Sequence, residues 1–199
     1  MKFVTIRALG VGVLMAGAML ASSAQAAVIY TESAQGDLSN DRLNPTSFNL
    51  AAGENQLLGV FTGEDGMGGY DIDYYSITIP AGMFLQQIVH QEFISTDSAG
   101  FMAIEQGPVF STAPADATPG NLMGWVIFGH VTVGSDIFPT LASNGIGFAR
   151  PLPGGTYTFW AQQTGALTDY TLTFVVVPSP MGATMLSCGA LMAFGRRRR

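Results

Sequence analysis

Cysteine is almost missing from this chain of 199 residues: the only one is Cys188, in an apolar stretch close to the C-terminus. The long segment before it can therefore build neither a disulfide framework nor a cysteine-based zinc site. Positive charge is scarce between the two ends. Lys2 and Arg7 stand near the start, Arg196, Arg197, Arg198 and Arg199 at the finish, and only Arg42 and Arg150 between them. All 14 acidic residues fall between Glu32 and Asp169, so residues 27–177 carry two arginines against 14 carboxylates, a formal balance of −12. A body so acidic repels phosphate backbones, which argues against nucleic acid as a partner. Apolar runs are short of the roughly 20 residues that span a bilayer as a helix. The Gly-x-Ser-x-Gly and His-Glu-x-x-His signatures are absent as well. His90 sits on an expected strand beside Glu92, with which it reads as a solvated pair, and His130 precedes Ser135 and Asp136 without forming a pattern that defines a nucleophile. Catalysis is not the reading these residues favour.

The termini carry the clearest patterns. Basic Lys2 and Arg7, an apolar run from Ala8 to Leu20, and Ala24-Gln25-Ala26 have the order of a secretory signal, with Ala24 and Ala26 at the small-residue cleavage positions and Ala27 as the new start. At the other end, VVVPSPMGATMLSCGALMAFGRRRR joins a strand-like run to a Pro-Ser-Pro break, a short apolar segment and four arginines. Pro178 and Pro180 separate strand from helix because proline lacks an N–H and disfavours helix at the residue before it. As a helix, residues 181–195 would reach only about 22 Å, so they span a membrane only if the arginine stems snorkel. The arginines hold that end on the cytoplasmic side and leave the acidic body outside.

This tail resembles the PEP-CTERM sorting signal of exported bacterial proteins. Pro178, Ser179 and Pro180 take the motif position, residues 181–195 the membrane segment and Arg196 to Arg199 the basic cluster; Ser179 stands where the name-giving pattern has glutamate. The resemblance implies an exosortase-type processing enzyme as partner and a transient membrane anchor through the tail. The location it implies is the cell envelope, the cell surface or the extracellular matrix.

Between the ends the chain reads as β throughout. Two-residue alternation is clear over Tyr75, Ile77 and Ile79, over Tyr157, Phe159 and Ala161, and over Tyr170, Leu172, Phe174 and Val176. Further strands are expected over residues 27–31, 47–50, 56–61, 84–93, 101–105, 125–133 and 146–148, with a turn at Pro80-Ala81-Gly82 and a short helix near 135–142 interrupted by Pro139. The domain division is a signal peptide over 1–26, a β-sandwich domain over 27–177 and the tail over 178–199. The expected fold class is all-β, an antiparallel β-sandwich or jelly roll flanked by an N-terminal signal helix and a short C-terminal transmembrane helix.

The body resembles bacterial pre-peptidase C-terminal domains through Asp71-x-Asp73-Tyr74, Pro80-Ala81-Gly82 and Gly155-x-Tyr157-x-Phe159. That resemblance implies a small non-catalytic β-sandwich accompanying exported proteins. Two candidate sites follow from the residues themselves. Trp160 and Trp125 supply aromatic faces suited to stacking on an extracellular polysaccharide, against a bland reading in which Trp160 packs beneath a loop or against the second sheet. Glu64, Asp65, Asp71 and Asp73, among the glycines of GEDGMGGYDID, offer hard oxygen ligands on a flexible loop, which makes calcium the candidate cofactor against a bland reading of solvated turn carboxylates. The resulting expectation is an exported, exosortase-sorted structural or binding module that is not an enzyme; the alternative is a secreted hydrolase or the accessory domain of one.

Overall fold

The computed structural model describes residues 26–62 and 70–179. The expected signal segment, Glu64 and Asp65 in the glycine-rich loop, and the tail from Pro180 onward lie outside the described residues. Nine strands, two short α-helices and two 3-10 turns (Pro114–Asp116 and His130–Thr132) make up the secondary structure of the described part: β1 (Ala27–Thr31), α1 (Glu32–Gln35), β2 (Thr46–Asn49), β3 (Gly53–Phe61), β4 (Ile72–Ser95), β5 (Ala99–Gln106), β6 (Gly124–Gly129), β7 (Ser135–Asp136), α2 (Phe138–Ser143), β8 (Leu152–Gln162) and β9 (Thr168–Pro178). The chain is all-β in class, as its alternating pattern implies. No helix of the described residues is long and apolar enough to cross a membrane.

The strands form one mixed sheet in the order β1-β3-β9-β4-β8-β5-β6, with β2 and β7 also paired to β4. It is not antiparallel throughout as expected, because β1 runs parallel to β3 and β2 parallel to β4. The cause is local. A parallel pair needs a crossover rather than a tight turn, and residues 32–52, holding α1 and β2, carry the chain from the end of β1 back to the start of β3.

Strand β4 organises the rest. Its first part, from Ile72 to Leu85, pairs with β8, and its second, from Met83 to Ser95, pairs with β9. The exchange of partners falls at Pro80-Ala81-Gly82, where the β8 ladder is interrupted between Ile79 and Phe84 and Gly82 takes φ +77°. These residues were expected to reverse the chain; instead they bend a strand that continues through them. Proline lacks a ladder donor and glycine adopts positive φ without strain, so the pair suits a bend in a strand as well as a turn.

The main core lies between strands that do not pair. Phe159 on β8 meets Phe174 on β9 at a ring separation of 5.7 Å and Phe128 on β6 meets Tyr170 on β9 at 5.9 Å, while within the β4–β8 ladder Tyr75 stacks on its direct partner Phe159 at 5.2 Å. The three alternating sets read from the sequence are all in this core. Other expectations need correction. Residues 146–148 form no strand, and β6 ends at Gly129, followed by a 3-10 turn over His130–Thr132. Pro139 does not interrupt the helix but sits in its first turn, where the missing N–H costs no hydrogen bond.

Candidate functional site

Two features outside the main core have the chemistry of binding sites. The first is an aromatic row on the opposite face of the sheet. Register aligns Tyr74 on β4 with Trp160 on β8, Trp160 with Ala103 on β5, and Ala103 with Trp125 on β6, so these four side chains stand in line across adjacent strands. Ala103, fully buried, is the small member between the two indoles. Trp160, only 5% exposed, packs against Tyr74, Phe101 and Phe110. Its Nε1 donates to Gln162 Oε1 at 2.9 Å. Trp125 is half-buried, and its Nε1 donates to the carbonyl of Pro119 at 3.2 Å.

A loop from Gly107 to Met123 covers part of this face and carries Phe110 into it. Arg42 fixes the loop by donating Nη1–H bonds to the carbonyls of Phe110 (3.0 Å) and Ser111 (2.7 Å), and Glu105 accepts bonds from the hydroxyls of Ser111 and Thr112. Between this loop and the sheet an open pocket of about 240 Å³ remains, lined by Trp125, Trp160, Phe101 and Gln162 from the strands and by Pro114, Ala117, Thr118, Pro119 and Leu122 from the loop. Both tryptophans singled out from the sequence therefore reach one pocket, Trp160 as its buried wall and Trp125 as a more accessible one. Period-two reasoning alone could not unite them, because strand order decides which strands are neighbours.

The second feature is a group of carboxylates. Glu32, the first residue of α1, Asp37 just beyond that helix, and Asp73 on β4 each place a carboxylate oxygen within 4.8 Å of the others. Glu32 is buried and accepts backbone N–H bonds from Leu38 on Oε1 (2.7 Å) and from Val60 on Oε2 (2.5 Å). Asp73 is fully buried; its Oδ2 accepts the hydroxyl of Tyr170 at 2.6 Å, while its Oδ1 is buried without a hydrogen-bond partner. Asp37 is exposed. Burial pushes the Glu32 carboxyl up to about 8, the nearby Asp37 carboxyl adding to the effect against the two backbone donors. Burial likewise raises Asp73 well above the ordinary carboxylate range, helped by the negative field of Glu32.

Of the four acids proposed from the sequence as a calcium loop, Asp73 joins this group. Asp71 turns its Oδ2 to the backbone N–H and hydroxyl of Thr62, at 2.7 and 2.9 Å, and keeps its Oδ1 buried and unpartnered. Glu64 and Asp65 lie outside the described residues. Glu32 and Asp37 were missed because nothing in their local sequence links them to a strand some 35 residues onward; the β1–β3 pairing and the α1 turn bring them there.

The histidines do not form a site with these groups. His90 is fully buried rather than solvated beside Glu92, because the β4–β9 ladder shifts register between His90 and Glu92 and breaks their common face. Asp136 Oδ1 accepts the N–H groups of Ile88 and Phe138, both at 3.1 Å, a structural capping role. At the C-terminal edge, Pro178 is exposed and pairs with Met83, and the Ser179 N–H donates to the Gly82 carbonyl at 2.8 Å. Pro178 and Ser179, two residues of the expected sorting motif, thus lie beside the β4 bend. Compared with family models, with curated proteins and with solved structures, the chain matches none.

Proposed function

We propose that this chain is an exported cell-envelope protein, sorted by an exosortase-type enzyme, whose β-domain is a non-catalytic binding module for extracellular polysaccharide. The observation that carries the binding part is the pocket between Trp125, Phe101 and Trp160. Indole faces give a sugar ring apolar area with little conformational cost, and Gln162 and Thr118 place polar groups at the pocket's edge for hydroxyls. The fold within this reading is a sandwich: β4 bends at Pro80–Gly82 and contributes to two layers, one with β8, β5 and β6 and the other with β9 and β3. The cross-layer contact of Phe159 with Phe174 supports that geometry.

The extent of the folded unit supports the export reading. Strand β1 begins at Ala27, directly after the small-residue cleavage motif, and β9 ends at Pro178, where the sorting motif begins. The described acidic domain thus begins and ends next to the two motifs read from the sequence. Isothermal titration with polysaccharide from the native matrix tests the binding reading. Wild-type protein binds, and Trp125→Ala, which removes the more accessible ring, loses the binding while keeping its fold. Absence of binding by the wild-type protein contradicts this function.

A further inference from the structure

Outside the aromatic pocket, three carboxylates converge with no lysine or arginine among the described residues to balance them. Arg42 is engaged with the Phe110 and Ser111 carbonyls, and Arg150 lies over the Phe138 ring. These are the only two basic side chains between Arg7 and Arg196. Asp73 holds its Oδ1 in the interior, fully buried and without a donor. A buried carboxylate oxygen with no partner is costly, so such an atom points to a missing counterpart.

We propose that Glu32, Asp37 and Asp73 form a calcium site. The donor set is oxygen only, which suits a hard cation and offers nothing to the softer metals that favour histidine or cysteine. The spacing fits: two oxygens on opposite sides of an ion with bonds of about 2.4 Å stand about 4.8 Å apart, and the three carboxylate oxygens lie within 4.8 Å of one another. Glu32 is held by the N–H groups of Leu38 and Val60 and Asp73 by the Tyr170 hydroxyl, so two of the ligands are already oriented. Access is provided by a surface hollow of about 280 Å³ lined by Glu32, Ser33, Asp37, Val60 and Thr62. Water entering from that side completes a coordination shell of six to eight oxygens, as calcium tolerates. Magnesium is the poorer fit, since it sheds water reluctantly and demands regular octahedral geometry.

The site is distinct from the aromatic pocket and is tested separately from polysaccharide binding. The full chain is freed of metal with chelator, and calcium is titrated calorimetrically and by thermal unfolding at neutral pH, with magnesium in parallel. The expected result is one saturable calcium site, a melting temperature that rises with calcium concentration, and a smaller response to magnesium. Asp37→Asn changes an exposed ligand and leaves the core intact; it should weaken calcium binding roughly tenfold or more, because affinity follows the number of charged ligands. Glu32→Gln, which keeps the size of the buried side chain, should do the same. If Glu32→Gln does not fold, Asp37→Asn decides alone. No binding heat and an unchanged melting temperature in millimolar calcium would overturn the proposal, as would an Asp37→Asn protein that binds calcium as tightly as wild type.

Discussion

Tyr170 lies across Gly59, its directly paired neighbour on β3, so closely that a Cβ on Gly59 would overlap the ring. The absence of that one carbon lets the tyrosine stack on Phe61 at 4.4 Å and reach Asp73 Oδ2 with its hydroxyl. Three strands, β3, β9 and β4, are tied at this point. Gly59→Ala should therefore destabilise the domain by about 1–3 kcal/mol, the usual cost of overpacking. Urea unfolding measures it; a change under about 0.5 kcal/mol, typical of an unconstrained surface position, would contradict the geometry.

Tyr170→Phe separates the hydroxyl from the ring. The stack on Phe61 survives, but both oxygens of buried Asp73 then lack a protein donor. Measured in chelator, the expected loss is about 1–3 kcal/mol, the cost of an unsatisfied buried polar group. The double variant Tyr170→Phe/Asp73→Asn should lose less than the sum of the two single changes, because the residues share one interaction.

Phe159→Ala tests the contact between unpaired strands. The ring touches Tyr75 at 5.2 Å and Phe174 at 5.7 Å and is fully buried. Its loss should cost about 3–5 kcal/mol through removed contacts and the cavity left behind. A loss below about 1 kcal/mol would mean that β8 and β9 do not pack face to face.

Much of this architecture was legible in the sequence for a simple reason: strand alternation has a period of two, and the sets ending at Ile79, Ala161 and Val176 obey it strictly. The bend in β4 was legible only as punctuation. Pro80 and Gly82 mark a departure from regular strand, and whether that departure reverses the chain or transfers a strand between partners depends on β8 and β9, far away in sequence. The sites divide in the same way. Trp125 and Trp160 could be chosen as aromatics, while Ala103, which stands between them, has no signature of its own. Glu32 and Asp37 carry no motif at all. His90 was misjudged because a register shift, invisible to alternation, separates its face from that of Glu92.

The buried histidine gives a prediction of its own. Thr132 donates its hydroxyl proton to the Gly129 carbonyl, so the 2.9 Å contact with His90 is made by Nδ1–H as donor. His90 Nε2 is buried without a hydrogen-bond partner, and the ring packs edge-to-face with Phe93 and Phe128. Burial lowers the His90 pKa below its ordinary 6.5. The folded state thus takes up a proton at lower pH than the unfolded chain does. The resulting stability contribution is complete above pH 6.5 and is lost as pH falls from there through the folded value, at no more than about 1.4 kcal/mol per pH unit. A titration of the ring nitrogens followed by NMR should give a midpoint below 6.5; a midpoint at or above 6.5 would contradict the burial argument.

The proposed export and sorting would unite the two ends of the chain with the domain between them, and the mass of the protein recovered from its native host tests that proposal most directly. On the proposed reading, signal removal would leave Ala27 first, and processing at the Pro178-Ser179-Pro180 break would remove the arginine cluster. The released body carries two arginines against 14 acids, a charge that favours solubility. The expected result is a surface or extracellular species beginning at Ala27 and ending between Pro178 and Pro180. A species in the same fraction that still carries Arg196 to Arg199 would contradict it.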